Sequence, residues 1–304
     1  MIRKKSSSLL LNRDFLLPVL ILTLSTVTFL IFDLDLLIQR LFYDQAEGWF
    51  LKDAQPWKVI YQFGNFPALI LAAGGLILLA LGLQKTSLAR YRKICLYLIL
   101  VMALGPGLVI NTILKENWGR PRPRNITEFG GKYNHERILQ IDPGSPGKSF
   151  PCGHASMGFY FFVLYFVLRK RKQTLARGFL VLALLWGSLI GLTRILQGGH
   201  YASDVIWTGG IMYLSAAGLF YLLKMERDIY FHASGSQSRR WKLIRFSAGM
   251  AIILLILLVL LATPHSQQKI FLPPAGWQDS TSYLQGNFRL DSADLEIRFG
   301  GGLE

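Results

Sequence analysis

The sequence predicts an all-α fold, a polytopic membrane helix bundle of seven spans with a short polar C-terminal tail. Three observations predict it. Of 304 residues 52% are hydrophobic, and the mean hydropathy is +0.35. Several apolar runs reach the ~20 residues that cross a ~30 Å hydrocarbon layer. Lysines and arginines concentrate in short connections that would share one face of the membrane. A net charge of +15 can signal a nucleic-acid partner. Here the charge follows topology, so no nucleic acid is expected.

Residues 1–14 hold Arg3, Lys4, Lys5 and Arg13. Span one covers residues 15–32. It is long, and no small-x-small cleavage site precedes Asp33, so it reads as an uncleaved anchor. Residues 33–65 read as a loop of acids and aromatics, including Trp49, Trp57 and Tyr61, typical of an interfacial belt. Span two covers 66–83, where Gly74 and Gly75 permit close helix packing. Span three covers 94–114, and Gly105, Pro106 and Gly107 predict a kink in it. A polar loop over 115–153 follows, and loops of that length in a compact domain are functional or disordered. Spans four to seven cover 155–168, 178–193, 201–223 and 246–262. In the tail, 263–304, alternation around 288–299 predicts either a small β-hairpin or a disordered segment.

The basic segments 1–14, 84–93, 169–177 and 224–245 carry more than half of the 33 lysines and arginines. They mark the cytoplasmic side. The opposite side receives 33–65, 115–153, 194–200 and 263–304. Arg120, Arg122 and Arg124 lie there against the bias, which points to a use for their charge. Cys95 and Cys152 fall toward opposite faces, so no disulfide is expected.

Three polar clusters interrupt the apolar sequence. In one, His200 and Asp204 stand four apart at the start of a predicted helix and share a face. A carboxylate on one ring nitrogen fixes the tautomer and makes the other nitrogen the better nucleophile. Arg194 ends the preceding span, and Gly198 and Gly199 fold the chain back toward the imidazole. A guanidinium presents a planar fork of donors to phosphate. In the second cluster, Cys152 and Gly153 precede His154 at the start of span four. Free helix N–H groups there suit a phosphate, and Gly153 lets the backbone approach closely. A second histidine suits an acid that protonates a leaving alkoxide. In the third, Lys115 ends span three, and prolines stiffen the segment that holds Arg122. Together Lys115, Arg122 and Arg194 neutralise a phosphoryl group. No carboxylate cluster suits Mg²⁺, so neither metal nor cofactor is expected.

These clusters are Lys-x6-Arg-Pro over residues 115–123, Pro-Cys-Gly-His over 151–154 and Thr-Arg-x5-His-x3-Asp over 193–204. In order they resemble the three signatures of the type 2 phosphatidic acid phosphatase (PAP2) superfamily, across roughly 94–223. The resemblance implies a six-helix core with the seventh span outside it. It also implies a phosphohistidine on His200, oriented by Asp204, with His154 as general acid. Lys115, Arg122 and Arg194 would be the phosphate ligands, and no metal would be needed. Two positions depart from the pattern. Thr193 replaces a serine and keeps the hydroxyl. Cys152 replaces another with a weaker donor, leaving the backbone N–H groups of Cys152 and Gly153 for the phosphate. The run from Gly198 to Val205 and the early Phe-Asp-Leu-Asp over 32–35 are similar to the bacterial lipid A phosphatase branch.

The resulting expectation is a cytoplasmic segment 1–14, a transmembrane phosphatase domain 15–262 and a periplasmic tail 263–304. The enzyme would sit in a bacterial inner membrane with its site facing the periplasm. Its substrate would be lipid A, phosphatidylglycerol phosphate or undecaprenyl diphosphate. A lipid-to-lipid phosphotransferase would use the same residues. A non-catalytic lipid binder or transporter is favoured only by Cys152 and opposed by the intact His154, His200 and Asp204. A neutral His200 with a protonated His154 predicts a bell-shaped pH profile. Cations supplied by the protein predict activity indifferent to EDTA. Lipid position and oligomeric state stay open.

Overall fold

A computed structural model describes residues 13–225 of the chain. Residues 1–12, the expected seventh span 246–262 and the tail 263–304 lie outside the described residues. Among the described residues the fold is all helical, with isolated β-bridges such as Gly119 with Gly147 in place of strands. The chain is a polytopic helical membrane protein.

Helix α1 (Arg13–Phe32) is followed at once by the short α2 (Leu34–Arg40). Helix α3 (Trp57–Phe63) runs into α4 (Phe66–Gln84), and the two form one apolar element, Trp57–Gln84. Helix α5 (Arg92–Met102), a π-helical stretch (Ala103–Leu114) and α6 (Lys115–Trp118) form a second continuous element. Helices α7 (Gly153–Phe159) and α8 (Phe162–Leu168) make the shorter span expected over 155–168. Helices α9 (Gln173–Leu196) and α10 (Ala202–Leu222) complete the described bundle. Five helices among the described residues are long and apolar enough to cross a membrane: α1, the α3–α4 and α5–α6 elements, α9 and α10.

Two departures from the expected elements bear on function. The region 33–65 is not simply a loop, because α2 and α3 are helical. The buried positions of α2 include Asp35 and Gln39, so its inward face is largely polar and gives no apolar stripe to read. The expected kink at Pro106 is a π-helical stretch. Proline removes one helix donor, and the wider turn is braced by side chains five residues on. Asn111 Nδ2 donates to the Pro106 carbonyl at 2.8 Å, and Thr112 Oγ1 to that of Gly107 at 3.1 Å. The helix therefore continues past the proline and carries Lys115 on it.

The core lies among α5, α7, α8 and α10, with Tyr97, Tyr160, Phe166 and Phe220 fully buried. Buried phenols need partners, and both tyrosines bond main chain across the bundle. Tyr97 donates to the Ala216 carbonyl at 2.9 Å and Tyr160 to that of Leu98 at 2.8 Å. Outward leucines and isoleucines of α1, α4 and α9 stay exposed, among them Leu17, Ile31, Ile70 and Leu185, as surfaces facing lipid require. At one end of the bundle Arg169 pairs with Asp14 at 2.6 Å and donates to Tyr221 at 2.8 Å. At the other end the three polar connections meet.

Candidate active site

The connection between α9 and α10 reverses at Gly198, whose φ of +60° favours glycine. A Cβ at that position would also collide with the ring of Trp49. Tyr201 caps α10, and its N–H donates to Asp204 Oδ2 at 2.9 Å. Asp204 thus caps its own helix. It also accepts from Ser149 Oγ at 2.6 Å and pairs with Arg120 Nη1 at 2.6 Å.

His200 is 1% exposed. Its Nδ1 lies 2.5 Å from the main-chain oxygen of Ser149 and 3.6 Å from Asp204 Oδ2. A carbonyl can only accept, so Nδ1 carries the hydrogen and Nε2 keeps its lone pair. The nearest group fixing the tautomer is therefore the Ser149 carbonyl and not, as the spacing suggested, a carboxylate. The reason is competition: Arg120, the Ser149 hydroxyl and the Tyr201 N–H claim the Asp204 carboxylate, which stays 3.6 Å from the ring. Burial holds His200 far below the ordinary imidazole range, at about 3, against the opposing pull of Asp204. Lys115 and Arg194 push the same way as burial. The ring is neutral at neutral pH.

The other sequence-derived residues gather beside it. Lys115 Nζ lies 3.3 Å from Asn111 Oδ1. Gly153 packs on this pair, and a Cβ there would come within 2.5 Å of Asn111 Oδ1 and 3.2 Å of Lys115 Nζ. Arg194 is buried, donates from Nη1 to Gln197 Oε1 at 2.5 Å, and lies 4.6 Å over the Tyr61 ring. Its Nε is buried and has no partner among the described residues. His154 stacks on the same Tyr61, with ring centroids 5.1 Å apart. It lies within electrostatic reach of Arg194, His200, Lys115 and Arg122. Two imidazoles and three cations, far apart along the chain, thus share one neighbourhood.

Cys152 requires a correction. Its N–H donates to Thr208 Oγ1 at 2.9 Å, so that backbone group is not free for a phosphate. Its side chain is fully buried, and burial raises the thiol above its ordinary range. What remains for an anion is a weak S–H donor.

Sequence reasoning missed Arg120, Asp35, Gln39, Ser149 and Tyr61. Arg120 is 0% exposed. It pairs with Asp204 at 2.6 Å and Asp35 at 2.8 Å, and donates to Ser203 Oγ and the Glu136 carbonyl, each at 2.9 Å. Its Cζ lies 4.0 Å over the Tyr201 ring. Burial opposes its charge, but Asp204 and Asp35 more than offset that and hold it above the ordinary arginine range. The signals in the sequence were an arginine standing against the positive-inside bias and, for Asp35, the Phe-Asp-Leu-Asp run over 32–35.

Among the described residues no group of three His, Cys, Asp or Glu side chains is placed to hold a metal ion. Residues 93–228 match the PAP2 superfamily. The PAP2 segment contains every residue of the three signatures, whereas Asp35, Gln39 and Tyr61 come from outside it. The chain is 35% identical over 140 residues to a lipid A 4'-phosphatase of Francisella tularensis subsp. novicida (strain U112). That match covers 46% of this chain and 62% of the relative. It is 33% identical over 119 residues to a lipid A 4'-phosphatase of Rhizobium leguminosarum, covering 38% and 49%. A lipid A 1-phosphatase of Rhizobium johnstonii is 33% identical over 100 residues, covering 33% and 36%. The chain therefore spans from about a third to under two thirds of the length of these relatives. No solved structure matches the chain.

Proposed function

We propose that this protein is a lipid phosphatase that removes a phosphate from lipid A, or a lipid of similar headgroup, through a phosphohistidine on His200. The observation that carries the reading is the tautomer of His200. With Nδ1–H committed to the Ser149 carbonyl, Nε2 is an unprotonated nucleophile within the field of Lys115 and Arg194. Nε2 attacks phosphorus, the P–O bond to the lipid breaks, and His154 delivers a proton to the leaving alkoxide. In the second half, His154 takes a proton from water, which attacks the phosphohistidine and releases inorganic phosphate. Lys115, Arg122 and Arg194 offset the charge that builds on the equatorial oxygens. The names of the relatives support lipid A as the substrate, and they include two phosphate positions. The distribution of lysine and arginine supports a site on the periplasmic leaflet of an inner membrane.

The test is turnover of bisphosphorylated lipid A in detergent micelles by the purified chain, read as free phosphate and as the mass of the lipid product. Expected is one phosphate released per lipid, with His200→Ala slower by roughly 10³-fold or more. Wild-type turnover by His200→Ala would overturn the nucleophile. Loss of phosphate from one lipid with its appearance on a second, and none free in solution, would replace hydrolysis by transfer.

A further inference from the structure

Helix α2 lies some fifty residues before the PAP2 segment, yet its two buried polar side chains both end on the His200 loop. Asp35 and Gln39 are four apart, so they share one helix face. Gln39 Nε2 donates to the main-chain oxygen of His200 at 2.8 Å. Asp35 Oδ1 accepts from the Ser203 N–H at 3.0 Å, and Oδ2 accepts from Ser203 Oγ at 2.5 Å and pairs with Arg120 at 2.8 Å. The other arm of Arg120 holds Asp204, which holds Ser149 through its hydroxyl, and the Ser149 carbonyl holds the ring at Nδ1. The main chain of His200 and its imidazole are thus both tied back to α2.

We infer that α2 is a positioning element for the nucleophile, with Asp35 and Gln39 as the residues that set where His200 Nε2 stands. The inference rests on the reading of His200 as nucleophile. Stability alone is a poor account of these contacts. Gln39 Oε1 is buried and has no partner among the described residues, which is a net cost. A leucine would avoid that cost and lose only the bond to His200. A buried arginine between two carboxylates is likewise often no more stable than an apolar replacement. What both contacts supply is a fixed place for the loop, and transfer to phosphorus is sensitive to sub-ångström placement of the attacking atom.

The experiment compares Asp35→Asn and Gln39→Leu with the wild type on bisphosphorylated lipid A micelles, and adds two inhibitors. Inorganic phosphate reports ground-state binding. Orthovanadate, which forms a five-coordinate adduct with a histidine, reports the transition-state geometry. Expected for each variant is a kcat about tenfold lower and vanadate inhibition weakened by a similar factor, with KM and phosphate inhibition within about twofold of wild type. Because Asp35 pairs with Arg120 as well as with Ser203, Asp35→Asn added to Arg120→Lys should cost less than the sum of the two single losses. Unchanged kcat and vanadate inhibition in both variants would overturn the inference, as would additive losses with Arg120→Lys. If Asp35→Asn does not accumulate in membranes, Gln39→Leu decides, since it removes one neutral bond and one unsatisfied acceptor. His200→Ala serves as control: if it turns over lipid normally, the nucleophile reading fails first, whatever the α2 variants do.

Discussion

Because the Ser149 carbonyl holds the hydrogen of His200 on Nδ1, and burial keeps the ring neutral down to about pH 3, His200 in its proposed role needs no deprotonation at neutral pH. The acid limb of a bell-shaped profile is therefore displaced. Between pH 5 and 8, kcat/KM should show no rise attributable to His200. The same shift links to stability. The unfolded ring titrates near 6.5 and the folded one near 3, so within that window the unfolded state binds more protons. Stability from the buried neutral ring is present above about pH 6.5 and is lost as pH falls toward 3. The unfolding temperature in detergent should drop between pH 7 and 4, and His200→Ala should flatten that drop. Cys152 offers a separate check. A fully buried thiol held protonated reacts slowly, so maleimide should label it only after unfolding and should not block activity in the native protein.

At the scale of elements, α3 contributes Tyr61, whose ring stacks on His154 and lies under Arg194. The ring face makes both packing contacts, and the hydroxyl also interacts with Arg194. Tyr61→Phe should keep near wild-type kcat, while Tyr61→Ala should lose roughly tenfold in kcat, about 1.4 kcal/mol of barrier. Equal losses in both variants would assign the effect to the hydroxyl. Neither α2 nor α3 could be read as a helix from periodicity, and for different reasons. The inward face of α2 is polar, and α3 carries no fully buried residue. The π-helical stretch was legible as a disturbance at Pro106, but its i−5 side-chain braces from Asn111 and Thr112 depend on the turn already being widened.

At the scale of the molecule, the bundle separates the candidate site from a structural end. Arg169 at the structural end pairs with Asp14 of α1 and donates to Tyr221 of α10. Its guanidinium also lies over the rings of Phe166 and Phe220. Helix α1 faces lipid along most of its length, with only Leu22 and Thr26 buried, so this clamp and the Trp207 to Thr26 bond of 2.9 Å do much to hold it. Arg169→Met should lower stability by about 3–5 kcal/mol, because a mostly buried carboxylate loses the Arg169 cation. It should leave kcat per folded molecule unchanged, the clamp being at the far end from His200. A fall in kcat without a fall in unfolding temperature would contradict this division of labour.

The sequence by itself determined the all-helical membrane class, the order of the described spans and the residues of the three signatures. These features are local: an apolar run, a basic flank or a short motif is complete within a few dozen residues. Tertiary structure alone decided what orients His200, where Asp204 spends its carboxylate and why Arg120 is charged where lipid topology disfavours it. Apart from the Tyr201 N–H on Asp204, those contacts join residues 51 to 168 positions apart. Two of the deciding atoms, the carbonyl oxygens of Ser149 and His200, belong to the main chain. A backbone atom is the same in every residue, so only folding gives it a particular partner.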